Sequence, residues 1–127
     1  MDSSLSVVYD DAVRDFKRLD VWWRAHRLAI SLLREADGWT GRNRFVLGDQ
    51  LARAALSIPA NIAEGAGRES VKEFRRYLSI ALGSSAELEN HLLAAHELGL
   101  MPPASRYLDE LREIQWMLSS LRRRVRS

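Results

Sequence analysis

Ser70-Val71-Lys72-Glu73-Phe74-Arg75-Arg76-Tyr77-Leu78 opens the stretch whose reading decides the fold. Val71, Phe74, Leu78, Ala81, Ser85, Leu88, Leu92 and Ala95 follow one another at steps of 3, 4, 3, 4, 3, 4 and 3 residues. That spacing holds one apolar seam toward partner helices, as in a helical bundle. Ser70 and Glu73 read as a capping box that satisfies free N–H groups of the first turn. Gly99 reads as the stop. Ser79, Gly83 and Ala86 make a second stripe of small residues on the same helix. A helical glycine costs up to about 1 kcal/mol against alanine, so another helix is expected to cross there, from the same chain or a neighbour.

Upstream, a helix is expected from near Phe45, with Leu47, Leu51, Ala54, Ala55, Ile58 and Ile62 on its core face. Pro59 interrupts it, at a usual cost of about 3 kcal/mol. The apolar spacing persists on both sides of the proline, which predicts a kink rather than an end. Gly65 and Gly67 read as the end. Arg53, Ser57, Asn61, Glu64 and Arg68 share the opposite side. One reading is a solvated face with a Glu64–Arg68 pair. The other is an interface or structural polar stripe, because Ser57 and Asn61 are poor choices for a merely solvated helix interior.

Two further helices complete the pattern. The first spans roughly 17–37, with Leu19, Trp22, Ala25 or His26, Ala29, Leu33 and Ala36 inward and Gly38 as its stop. The polar run Gly41-Arg42-Asn43-Arg44 reads as a loop. The last helix follows Pro102-Pro103, which suit a first helical turn, and carries Leu108, Leu111, Ile114 or Gln115, Leu118, Leu121 and Val125. No stretch alternates with period two, so no sheet is expected. The fold expected is all-α, an antiparallel up-down-up-down four-helix bundle of left-handed twist over residues 16–127. Residues 1–15 read as a loose acidic arm, with part of it open to a helical reading.

The 127 residues are 46% hydrophobic, enough for one domain with a real core. No apolar run reaches membrane-spanning length. Met1-Asp2-Ser3-Ser4 lacks the features of a signal peptide, so a cytoplasmic protein is expected. The chain has no cysteine, which excludes disulfides and thiolate metal sites. It has no Glu-x-x-His motif and no phosphate-binding Gly-x-x-x-x-Gly-Lys loop. Glu87 and His91 could share a metal, but a hydrogen bond between them is the plainer reading. Ser84-Ser85 has no base nearby in sequence. The residues therefore point away from an enzyme, and no cofactor or metal is expected.

Charge is unevenly placed. Asp2, Asp10, Asp11 and Asp15 against Arg14 give residues 1–15 a balance of −3, leaving +5 on the rest of a +2 chain. Lys17 and Lys72 are the only lysines; arginine's planar fork suits phosphate. The candidate nucleic-acid contacts are Arg42 and Arg44, then Arg68, Arg75 and Arg76, then Arg122, Arg123, Arg124 and Arg126. The last two groups are expected at one end of the bundle and Arg42 and Arg44 at the other. The alternative is solubility with compensation of helix dipoles. Trp22 fits the first helix's core stripe and Trp116 lies beside that of the last helix. Trp23 and Trp39 fit neither stripe, so they are candidate anchors for self-association.

Leu19-Asp20-Val21-Trp22, Leu51 through Arg68 with its core Ser57-Ile58-Pro59-Ala60-Asn61-Ile62-Ala63-Glu64-Gly65, and Glu73-Phe74 with Tyr77 through Ser84 carry a resemblance. With Glu87-Leu88-Glu89 and Leu98-Gly99 it covers roughly residues 16–121. The chain resembles the four-helix-bundle family encoded by intervening sequences in 23S rRNA genes. The resemblance implies a bacterial cytoplasmic protein without established enzymatic activity, assembled as a ring-shaped homo-pentamer. A related group, accessory proteins of diversity-generating retroelements, forms basic rings that bind nucleic acid and a reverse transcriptase; Phe45-Val46-Leu47-Gly48-Asp49-Gln50 resembles it slightly. The function expected is a non-enzymatic homo-oligomer that binds RNA or DNA, RNA first, through its arginines. The alternative is a scaffold that docks a reverse transcriptase or similar protein. The connection Gly38 through Arg44 is shorter than the family's Lys- and Glu-rich one, and the arm 1–15 lies outside the resemblance.

Overall fold

A computed structural model describes residues 6–102 and 105–126 of the chain. Asp2, in the acidic arm, and Pro103, in the expected first turn of the last helix, lie outside the described residues. The described residues are all-α with almost no sheet. In chain order they form strand β1 (Val7–Val8), helix α1 (Asp11–Arg14), a 3-10 turn (Phe16–Arg18), helix α2 (Asp20–Asp37), a π-helical segment (Asn43–Gly48), helix α3 (Asp49–Ala66), helix α4 (Val71–Glu97), helix α5 (Tyr107–Arg124) and strand β2 (Val125–Arg126).

The long helices pack in a closed circuit. The α3–α4 contact is the most extensive, followed by α2–α3, α4–α5 and α2–α5. Specific pairs mark the neighbours. Ser57 faces Ser84, and Glu64 faces Tyr77, across α3 and α4. Glu89 faces Gln115, and Ser79 faces Arg122, across α4 and α5. Arg24 reaches Glu110 and Glu113 while Glu35 accepts from Tyr107, across α2 and α5.

The α4 seam is as the spacing predicts. Phe74, Leu78, Ala81, Ser85, Leu88, Leu92 and Ala95 are all buried, with Val71 packed beside them. Ser70 Oγ accepts from Glu73 N at 3.2 Å, one half of the capping box; the Glu73 carboxylate turns to Arg76. Gly99 sits at φ +73°, a conformation glycine adopts without a Cβ penalty, and closes the helix. Pro59 is buried inside α3, and the helix runs through it to Ala66.

Several expectations are corrected. In α2 the core side is Val21, Ala25, Leu28, Ala29, Leu32 and Ala36, while Trp22 and Leu33 are only half-buried. Trp39 is buried, with its indole packed close to Gly48, and is not a surface anchor. Trp116, expected beside the core stripe of the last helix and not on it, is 68% exposed, in keeping with that reading. Asn43 and Arg44, expected in a loop, belong to the π-helical segment that leads into α3. Pro102 stands outside α5, which starts at Tyr107, where Ser105 Oγ accepts the free N–H of Tyr107 at 3.3 Å.

The described part of the arm is held in place. Val7 and Val8 pair in parallel with Val125 and Arg126, and Tyr9 N donates to Arg126 O at 2.7 Å. Val7, Tyr9, Val13 and Phe16 pack on the core. A two-residue bridge gives no period-two signal, and Tyr9, Val13 and Phe16 keep helical spacing while Val7 departs from it, too short a pattern to show that the arm docks on the core.

Candidate nucleic-acid interface

The end of α3, the start of α4 and the end of α5 meet at one end of the molecule, and the arm closes over them. Arg75 donates to Val125 O. Arg122 Nη1 donates to Ser79 Oγ at 3.0 Å, and Arg126 Nε to Ser6 Oγ at 3.0 Å. Arg124 Nε donates to Ser120 Oγ at 3.0 Å. Arg123 is exposed beside them. Helix α5 thus ends in a run of guanidiniums, which its C-terminal dipole favours.

Arg68 and Arg76 complete the cluster around Tyr77. Their guanidinium carbons lie 4.9 and 4.8 Å from the Tyr77 ring centroid, within cation–π range. Arg68 Nη2 donates to Glu64 Oε2 and to the Tyr77 hydroxyl, both at 2.7 Å, and that hydroxyl lies 3.1 Å from Glu64 Oε2. Its hydrogen bond to Glu64, then Tyr77, holds the Arg68 guanidinium above its ordinary pKa. Glu64 and Glu73 therefore offset part of the positive charge here.

Arg42 and Arg44 do not join this cluster. Arg44 donates to Asp37 O at 3.0 Å and pairs with Asp37 Oδ1 at 3.2 Å, at the opposite end of α3. Eighteen residues of helix separate the two ends, about 27 Å.

The polar stripe on α3 divides. Asn61 Nδ2 donates to Ser57 O at 2.8 Å and to Ser57 Oγ at 3.0 Å, and Ser57 Oγ lies 2.7 Å from Ser84 Oγ. Asn61 can thus leave the Ser57 proton for Ser84. Three polar side chains are satisfied in the α3–α4 groove. Glu64 and Arg68 turn to Tyr77 on α4, and Arg53 is exposed.

Two contributors were not visible in the sequence. Tyr9 places its hydroxyl among the carbonyls of Gly65, Ala66 and Arg68, capping the C-terminal end of α3, and stacks on Phe74 at 5.2 Å. Burial, the leading cause, raises its pKa, with nearby Arg14 opposing. Tyr77 entered the sequence reading only within the family resemblance, with no role for its hydroxyl. Gly65, expected to end α3, lies inside it: a Cβ there would stand 2.5 Å from Tyr77 Cβ.

Glu87 Oε2 and His91 Nε2 are 3.2 Å apart, as a hydrogen bond requires. No cluster of three or more metal-ligating side chains occurs among the described residues. Ser84 pairs with Ser57, and Ser85 Oγ donates to Leu82 O at 2.6 Å, so neither hydroxyl has a base beside it. No helix among the described residues is long and apolar enough to cross a membrane.

A family model described as 23S rRNA-intervening sequence protein matches residues 17–120, from the 3-10 turn into the last helical turns of α5. A comparison with curated proteins found no match.

Proposed function

The chain belongs to the 23S rRNA-intervening sequence protein family, and we propose that it is a non-enzymatic homo-oligomer that binds nucleic acid, RNA first, through arginines at one end of each subunit. The subunit in this reading is an antiparallel, left-handed up-down-up-down four-helix bundle. The pairs Ser57–Ser84 with Glu64–Tyr77, and Ser79–Arg122 with Glu89–Gln115, support it, because rising numbers on one helix meet falling numbers on its neighbour.

The observation that carries the functional reading is the convergence of Arg68, Arg75, Arg76, Arg122, Arg123, Arg124 and Arg126 from three helix ends and β2. Repetition of that end around a ring would add the fields of the subunits. The outward side of α3 supports self-association: Leu56 is 44% exposed and Phe45, just before the helix, 71%. The number of subunits follows the family resemblance, a pentameric ring in the cytoplasm. Static light scattering is expected to return five times the chain mass.

A filter-binding titration against a structured RNA hairpin tests the nucleic-acid reading. Binding is expected at low salt, with affinity falling linearly in log–log form as salt rises. Arg76→Gln with Arg122→Gln should weaken it, and Arg42→Gln should not. No retention of RNA or DNA at low salt would sink the reading. A second reading, a scaffold for a partner protein such as a reverse transcriptase, is favoured by the exposure of the neighbours Phe45 and Val46. Recovery of a partner protein that Phe45→Ser abolishes would support it.

A further inference from the structure

Along the seam between α2 and α5, three depressions lie in series. The largest, about 610 Å³, has Val7, Leu19, Val21 and Leu121 in its lining, with Arg18, Arg123 and Trp116 beside them. The next, about 310 Å³, shares Asp20 and Met117 with it and is lined by Trp23, Arg24 and Arg27. The third, about 380 Å³, shares Arg24 and Arg27 and ends at Arg106 and Tyr107. Each has an aromatic side chain in its lining, and Trp116 is the most open of them.

The charge along this line is positive and concentrated toward its two ends. Arg24 is committed to Glu110 and Glu113, both at 3.1 Å, so the centre is close to neutral. Arg18 and Arg123, near Trp116, make no ion pair among the described residues. Arg27 stands 5.4 Å from the Trp23 ring centroid, and Arg106 is exposed beyond it. From Asp20 to Ser31 the line is about 16 Å long at helical rise.

We infer that the α2–α5 seam is a track for single-stranded nucleic acid, with an unpaired base stacked on Trp116 and the phosphates near it held by Arg18 and Arg123. Cationic grooves interleaved with aromatic faces are what an unpaired strand uses. A duplex cannot, because its bases are already stacked on one another. The apolar and aromatic lining alone would suit a protein segment or an unpaired base, and the arginines toward both ends of the groove select the polyanion. The inference rests on the proposed nucleic-acid function and extends it from the arginine cluster, through Arg123, along a seam that leads away from Tyr77.

Fluorescence anisotropy on the full chain tests it, with a fluorescein-labelled uridine octamer and a fully paired hairpin as probes. Trp116→Ala is expected to weaken octamer binding about tenfold, as loss of one stacked base does, and to leave hairpin binding within twofold. Arg18→Gln with Arg123→Gln should lower the octamer's salt slope by about 1.4 for two lost phosphate contacts. Octamer binding unchanged by Trp116→Ala overturns the track. So does a wild-type chain that holds the hairpin but not the octamer, which leaves the proposed function standing. A wild-type chain that binds neither probe sinks both. A change in molar mass on Trp116→Ala, read by light scattering, reassigns the seam to a contact between copies.

Discussion

Gly65 and Gly83 are both helical glycines, and the structure sets them in opposite surroundings. At Gly65 a Cβ would sit 2.5 Å from Tyr77 Cβ and 3.2 Å from Phe74 Cδ1. At Gly83 it would meet nothing within 4 Å. The sequence suggested the reverse, a stop at 65 and a close helix crossing at 83. Glycine in a helix has one entropic cost but two uses, and the neighbouring chain decides which applies. At Gly65 the missing side chain lets α3 and α4 approach until Tyr77 can reach Glu64 and Arg68. Gly65→Ala breaks this contact where neither side yields easily, since Cβ would meet a Cβ fixed to the opposing backbone. Destabilisation of about 2–3 kcal/mol is expected in urea unfolding, the upper part of the range for overpacking. A loss below about 0.5 kcal/mol would show that the helices part freely, contrary to the overpacking argument.

The same comparison extends to how each region is closed. The Gly65 end is sealed by Tyr9, whose hydroxyl reaches the last carbonyls of α3. Tyr9→Phe keeps the ring on Phe74 and removes only that donor, at an expected cost of about 1 kcal/mol. The hydroxyl also sets a pH dependence. Its folded pKa is raised above the ordinary value of 10.0, mainly by burial. The stability it contributes is therefore complete below pH 10 and is lost as pH rises from there through the folded pKa. Tyr107, raised by burial and by its bond to Glu35, acts in the same direction. An alkaline unfolding series should fall more gently for Tyr9→Phe than for the wild type. Identical slopes would remove Tyr9 from the account.

How much of this was legible follows from the kind of signal each part leaves. The α4 seam was readable because seven consecutive steps agree, and every buried position but Tyr77 lies on it. Helix α2 was read correctly at Ala25, Ala29 and Ala36 and one residue off at Trp22 and Leu33. Val21, Trp22, Trp23, Leu28, Ile30, Leu32 and Leu33 offer two stripes of equal spacing, and only the packing partners select Val21, Leu28 and Leu32. The segment 43–48 was read as loop because its polar start hides the helix and a π-helix bonds outside the 3.6 period. The arginine cluster was expected because helix order and short connections already placed those termini together. The α2–α5 track was missed because its residues are separated by most of the chain, and no local pattern joins Arg18 to Trp116 or Arg27 to Arg106. Tyr9 was missed for the same reason, since its partners lie 56 to 59 residues away.

Gly83 supplies the smallest and sharpest test of the contrast. Its neighbours on the small stripe, Ser79 and Ala86, are also exposed, and Ser79 is engaged with Arg75 O of its own helix and with the long Arg122 side chain of α5. With open space around it, Gly83→Ala changes mainly the unfolded chain, which loses conformational freedom, and the helix, which gains a better former. The expected result is a gain of about 0.5 kcal/mol in urea unfolding, with molar mass unchanged by light scattering. If another copy's helix instead lay against this stripe as Tyr77 lies against Gly65, the methyl group would collide with it. The mass would then fall and stability drop, and the two glycines would share one use after all. The sign of a half-kilocalorie effect thus decides whether the outer face of α4 is bare in the proposed assembly.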